Sequence, residues 1–180
     1  MLVGNKDNFA IEYEIASVTE KTSELYMYIN NINILEFLYD GEIHTTTWNL
    51  DELVDWLETF SMQDSDDFFP YECKGNTAAE KDLFAREFDS DDDEEFDNYY
   101  DPLNQWVYNH TWAHASAGGI ISNVYFRRLD QNIEISWNND LPGSVRFVSI
   151  QGYKLINADE FRGIVRTFAS AYRTEWSRFN

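Results

Sequence analysis

Apolar and polar positions alternate strictly near the start of the chain. Phe9, Ile11, Tyr13 and Ile15 are separated by Ala10, Glu12, Glu14 and Ala16, a period of two that predicts a strand with one buried face. Two more β-rich runs follow, residues 25–29 and 32–39, parted by Asn30 and Asn31. Asp40-Gly41 then marks a tight hairpin into residues 42–47, since both residue types tolerate the positive φ that such turns require. The opening of the chain therefore predicts an antiparallel meander of three or four strands.

The period changes to helical after Trp48. Leu50, Leu53, Val54, Leu57 and Phe60 share one face, Trp56 lies at its edge, and Asn49 with Glu52 has the spacing of a capping box. Residues 64–70 (DSDDFFP) read as a loop. Thr77 with Glu80 repeats the box and predicts a second helix over residues 78–88, with Leu83, Phe84 and Phe88 turned inward. Asp101-Pro102 has the form of a helix start, which predicts a third helix over residues 102–116, stopped by Gly118-Gly119.

From Ile120 the alternation returns. Val124, Phe126 and Leu129 form one run and Ile133, Ile135 and Trp137 the next, joined at Asp130-Gln131. Residues 138–143 read as a polar turn and 145–150 as a strand; residues 153–156 either extend that strand or pair separately. Asn157 with Glu160 opens a last helix carrying Phe161, Ile164, Val165, Phe168 and Tyr172 at helical spacing. With no internal repeat and no Gly-, Ser- or Pro-rich linker, the expected fold is one α+β domain spanning residues 1–180. It has an N-terminal antiparallel β-meander, central helices, C-terminal strands and a final amphipathic helix.

Charge adds what the periodicity lacks. The 180 residues carry 13 Lys and Arg against 33 Asp and Glu, a formal charge of −20, while hydrophobic residues at 43% supply a core. So negative a surface repels phosphate backbones and anionic lipid, which makes nucleic acid and membranes poor direct partners. No window is apolar enough to span a bilayer, no leader precedes the first strand, and Cys73 is the only cysteine, so the expected location is the cytoplasm. Residues 50–101 hold 19 acids against Lys74, Lys81 and Arg86.

Residues 87–101 (EFDSDDDEEFDNYYD) concentrate nine acids and no base. A block of like charge is ordinarily a solvated loop. Phe88, Phe96, Tyr99 and Tyr100 interrupt this one, however, and aromatics supply rigid anchoring area that a solubilising segment does not need. The alternative to an inserted loop is thus a contact surface. Its candidate carboxylates are Asp89, Asp91, Asp92, Asp93, Glu94, Glu95, Asp97 and Asp101, and its candidate anchors are Tyr99 and Tyr100.

Other constellations are weaker. His110 and His114 are four apart on the expected third helix, but NHTWAH lacks the glutamate of a zincin, and Asp101, His44 and Cys73 are third ligands only in principle. No metal or other cofactor is expected. Cys73 sits beside Lys74, yet its surroundings are acidic and no base is spaced to activate it. Residues 116–119 (SAGG) lack the Lys-Ser/Thr of a phosphate loop, and residues 136–140 (SWNND) are ordinary turn formers. The arginines of the C-terminal third, among them Arg162, Arg166 and Arg173, are expected to neutralise neighbouring acids.

The functional expectation follows from charge and architecture. It is a non-enzymatic acidic inhibitor of a basic partner protein, above all an immunity protein against a toxin such as a nuclease. The alternatives are a DNA mimic encoded by a phage or mobile element, an unspecialised interaction domain, and a hydrolase built on His110 and His114 or on paired carboxylates.

Overall fold

The computed structural model describes residues 1–64, 68–116, 119–140 and 145–179. Strands β1 (Leu2–Asn5), β2 (Phe9–Ser17), β3 (Thr22–Ile29) and β4 (Ile32–Asn33) pair in that order, all antiparallel. β5 (Phe37–Tyr39) and β6 (Glu42–His44) form a separate hairpin, and β7 (Thr46–Trp48) returns to pair with β3. The expected turns lie where alternation stops. Asn30 and Asn31 have φ of +50° and +67°, and Asp40 and Gly41 have φ of +54° and +84°, the left-handed geometry that matches the twist of a two-residue hairpin.

Helix α1 (Asp51–Ser61) follows, then α2 (Ala78–Ala85), α3 (Asp93–His110) and a single 3-10 turn at Ala113–Ser116. Strands β8 (Val124–Leu129) and β9 (Asn132–Asn138) form a hairpin through Asp130, φ +50°, and β11 (Gln151–Asn157) completes a three-stranded sheet in the order β11-β9-β8. β10 (Arg146–Phe147) is shorter than the expected strand over 145–150 and pairs with β5, while residues 151–157 pair separately with β9. Helix α4 (Ala158–Trp176) ends the chain. The fold is α+β, with antiparallel strands at both ends, helices between them and a C-terminal amphipathic helix.

One continuous core joins the first and third sheets through α1 and α4, reaching from Val3 to Trp176. Phe161 stacks on Phe9 at 5.5 Å, and Tyr13 meets the edges of Phe168 and Tyr172 at 5.7 and 5.4 Å. Phe126 links this layer to α1 through Phe60 at 5.8 Å and to Trp112 at 5.1 Å. Two of the three α4 arginines pair with acids as expected, whereas Arg166 donates to Met62 Sδ at 3.0 Å. Arg173 pairs with Asp55 and Glu58 of α1 at 2.6 and 2.7 Å, and Arg162 reaches Asp64 at 2.9 Å.

Three expectations about helices change. Asn49 accepts from the Asp51 N–H at 3.0 Å, but Leu50 is the residue at the N-cap of α1, so the anticipated box is shifted out of register. The face α2 buries is Ala78, Ala79, Asp82 and Ala85, with Leu83 52% exposed. The buried face is mostly small because α2 packs on β8 and β9, its Ala78 and Ala79 clustering with Tyr125 of β8 and Trp106 of α3. Helix α3 starts nine residues earlier than expected, and Pro102 lies within it.

The box at the start of α2 is complete. Thr77 Oγ1 accepts from the Glu80 N–H at 3.2 Å, while the Glu80 carboxylate accepts the N–H groups of Asn76 and Thr77 at 2.7 and 3.2 Å. Those two N–H groups hold the Glu80 pKa below its ordinary 4.5. A carboxyl whose folded pKa is depressed contributes stability above its unfolded pKa and loses it as pH falls through the folded value. Glu80→Gln is therefore expected to flatten the decline in urea midpoint below about pH 4.5, while changing the midpoint little at the acid limit. An equally steep decline in the variant would refute the assignment.

Candidate functional site

The acidic segment is largely helical. Residues 93–101 form the first half of α3, and Asp92 caps it, its Oδ1 accepting from the Glu95 N–H at 3.0 Å. Asp93, Glu94 and Glu95 occupy the first turn, where the helix dipole favours negative charge. The segment is thus not an inserted loop. Its expected start signal, Asp101-Pro102, is overridden by a longer pattern: Phe96, Tyr99, Tyr100, Leu103, Trp106, Val107 and His110 make one unbroken stripe at helical spacing. Proline normally costs a helix interior one hydrogen bond and a steric clash. Pro102 and Asn98, the residue whose carbonyl loses its partner, are both exposed, so the loss falls on the solvent side of the helix.

The stripe fastens this arm to the body. The Tyr99 ring lies between Phe88, 4.0 Å away at 17°, and Tyr71, 4.3 Å away at 5°. Its hydroxyl donates to the Ala85 carbonyl at 3.0 Å, and the Tyr71 hydroxyl donates in turn to the Tyr99 carbonyl. Tyr100 donates to the Phe88 carbonyl at 2.9 Å. Burial raises the pKa of both Tyr71 and Tyr99, which keeps them protonated donors. The two tyrosines, expected as partner anchors, are half-buried here and tie α3 to the end of α2. Phe96, 39% exposed against Tyr100, is the ring of the arm most open to solvent.

The carboxylates divide into two sets. Asp92 caps the helix and Glu95 accepts from Ser90 at 2.7 Å. Asp89, Asp91, Asp93, Glu94, Asp97 and Asp101 are exposed and make neither ion pairs nor side-chain hydrogen bonds among the described residues. The arm presents an ordered acidic face without internal counter-charge.

The remaining candidates are structural. α3 ends at His110, so His114 stands on the 3-10 turn instead of one helical turn further along. The His110 ring is buried, stacked on Trp106 at 4.0 Å, with Nδ1 donating to the Trp106 carbonyl at 2.7 Å. His114 lies flat on Tyr108 at 4.0 Å, and desolvation lowers its pKa. Among the described residues no three His, Cys, Asp or Glu side chains are grouped to hold a metal. Cys73 donates to the Lys81 carbonyl at 3.6 Å. In SWNND, Ser136 and Asn138 belong to β9, and Asn139 is buried, accepting from the Asn123 N–H at 2.8 Å and donating to the Ser149 carbonyl at 3.0 Å. Of SAGG, Ser116 closes the 3-10 turn, and Ala117 and Gly118, with the expected helix stop, lie outside the described residues, as do 141–143 of the polar turn.

Sequence reasoning missed a buried polar cluster between α2 and the third sheet. Glu134 pairs with Arg127 and accepts from the Ala78 N–H at 2.6 Å and from Ser136 at 2.8 Å, and Ser136 accepts from the Ala79 N–H at 3.1 Å. Nearby, Asp82 accepts from Tyr125 at 2.6 Å and Arg86 at 2.9 Å. The alternation of β9 assigns Glu134 and Ser136 to the outer face; that face is buried because α2 covers it.

The sequence matches no family model, and no characterised protein or solved structure is detectably similar to the chain. Among the described residues no helix is long and apolar enough to cross a membrane.

Proposed function

We propose that the protein is an acidic, non-enzymatic inhibitor that occludes a basic surface of a partner protein, as an immunity protein does to a toxin such as a nuclease. The observation that carries this reading is the first half of α3, a helical arm whose outward carboxylates have no ion-pair or side-chain hydrogen-bond partner among the described residues. Charge of one sign left uncompensated on an ordered element steers an oppositely charged partner and rejects like-charged ones. Order matters, because a helix already formed does not lose conformational freedom on docking. The histidines and Cys73 are taken up in packing and main-chain hydrogen bonds, and this weighs towards binding over catalysis.

A DNA mimic would use the same charges differently. At 1.5 Å per residue, the acidic turns of α3 extend about 13 Å, the length of about four base pairs. That favours a compact basic patch over a long nucleic-acid channel as the surface covered.

The test starts from a pull-down in the source cell at low salt and measures whether the stoichiometric complex abolishes the captured protein's activity. Asp91, Asp93, Glu94, Asp97 and Asp101 are then replaced together by Asn or Gln, leaving Asp92 and Glu95 to hold the helix. Association at low salt is expected to slow by about 10- to 100-fold and to lose most of its salt dependence. A folded variant that associates like the wild type, or a complex in which the partner stays fully active, would overturn the reading.

A further inference from the structure

A cavity of about 640 Å³ is walled by Phe68, Phe69, Tyr71, Cys73 and Leu129, with Lys74, Lys81, Arg127 and Arg128 and, among the described residues, a single acid, Glu72. Four of the chain's 13 bases therefore surround one cavity in a molecule of net charge −20. Arg162 and Arg173 of α4 are paired with acids. Lys74 and Lys81, in contrast, make no ion pair among the described residues. Arg127 is the deepest of the four, with a side chain 9% exposed. Its Nη2 is committed to Glu134 and the Asn76 carbonyl, while Nε is buried without a partner.

The other walls indicate the rest of the ligand. Phe69 is held edge-on to Trp106 at 4.8 Å, and Lys81 sits 5.8 Å over its ring. The volume is that of a pocket for a whole small molecule rather than a lone inorganic ion. We infer that this cavity binds a small ligand joining a flat ring to a phosphate, of mononucleotide size, with the ring against Phe69 and Tyr71 and the anion among Lys74, Lys81 and Arg128. The site is separate from the acidic face of α3 and does not rest on the inhibitor reading. Four cations, half-buried Phe69 and Tyr71 and a volume of small-molecule size converge here.

Calorimetric titration of the full chain with adenosine and uridine monophosphates, adenosine and inorganic phosphate tests the assignment. Cys73, which lines the cavity, gives a second readout through its alkylation rate. At least one nucleotide is expected to bind and to slow alkylation. Lys74→Gln and Lys81→Gln, each on a side chain without an ion pair, are each expected to raise its dissociation constant about tenfold, the size of one charge-assisted contact. The amide-substituted α3 variant should bind as the wild type does, which separates this result from any failure of the inhibitor reading. No binding and no Cys73 protection up to about 10 mM would overturn the proposal, as would affinity indifferent to both lysines. Phosphate binding as tightly as the nucleotides would remove the ring from the assignment, and adenosine doing so would remove the anion.

Discussion

Glu134→Ala is expected to cost about 3–5 kcal/mol of folding stability, the range for breaking a buried ion pair by removing one partner. The Glu134 side chain is 2% exposed and that of Arg127 is 9% exposed. Truncation leaves the guanidinium without its counter-charge and the Ala78 N–H and Ser136 hydroxyl without their acceptor, at the start of a helix whose other contacts are mostly alanine. Desolvation of those orphaned groups, more than any lost attraction, sets the size of the effect. Two comparisons isolate it. Glu134→Gln keeps the shape and one acceptor and should lose less, and a double replacement, Arg127→Met with Glu134→Leu, should recover most of the loss because apolar pairs of similar volume often equal a buried ion pair. Urea denaturation reads all three, and a Glu134→Ala loss under about 1 kcal/mol would mean that water solvates the cluster.

Tyr99→Ala is expected to remove helical order from the acidic half of α3 while sparing the half that carries Trp106 and His110. The ring makes two stacked contacts, each worth about 0.5–1.5 kcal/mol, and its hydroxyl contributes a hydrogen bond of about 1 kcal/mol. Against this staple stand like charges at helical spacing, Asp93 with Asp97, Glu94 with Asp97 and Asp97 with Asp101, each costing a few tenths of a kcal/mol. Nine residues alone are too few to hold a helix in water. Amide hydrogen exchange should show protection lost over residues 93–101 and kept over 103–110. Tyr99→Phe, which preserves the stacking, should retain most of it. Uniform protection in Tyr99→Ala would show that the capping and the Tyr100 contact are sufficient alone.

The hairpins were legible because their turns are local. Asn30-Asn31 and Asp40-Gly41 are short, bear residues that accept positive φ, and interrupt a period-two pattern, so nothing distant need be known. The caps at Thr77 and Asn157 were legible for the same reason, and both form. α3 was misread because two local signals disagreed. Asp101-Pro102 has the chemistry of a helix start, but the apolar stripe from Phe96 to His110 runs through it, and burial along the whole stripe outweighs one lost hydrogen bond on the wet side. Hydrophobicity alone turns Leu83 inward, but the face of α2 that meets β8 and β9 is the one carrying Ala78, Ala79, Asp82 and Ala85. The carboxylates of the acidic face were readable as charge, and their division into capping and free residues was not. The cavity was beyond reach, since residues 68–74, Lys81 and residues 127–129 meet only through the packing of α2 on the third sheet.

Helix α3 keeps its two duties on opposite sides. The residues that fasten it form one stripe, and Asp93, Glu94, Asp97 and Asp101 touch none of them through side-chain bonds among the described residues. Substitutions at those outward positions leave the fastening stripe intact, so their effect on folding is small. The arm can accordingly drift in charge pattern from generation to generation while the scaffold stays constant. The charge pattern of one side of one helix can therefore be rewritten by a few codons without touching the residues that hold the helix in place.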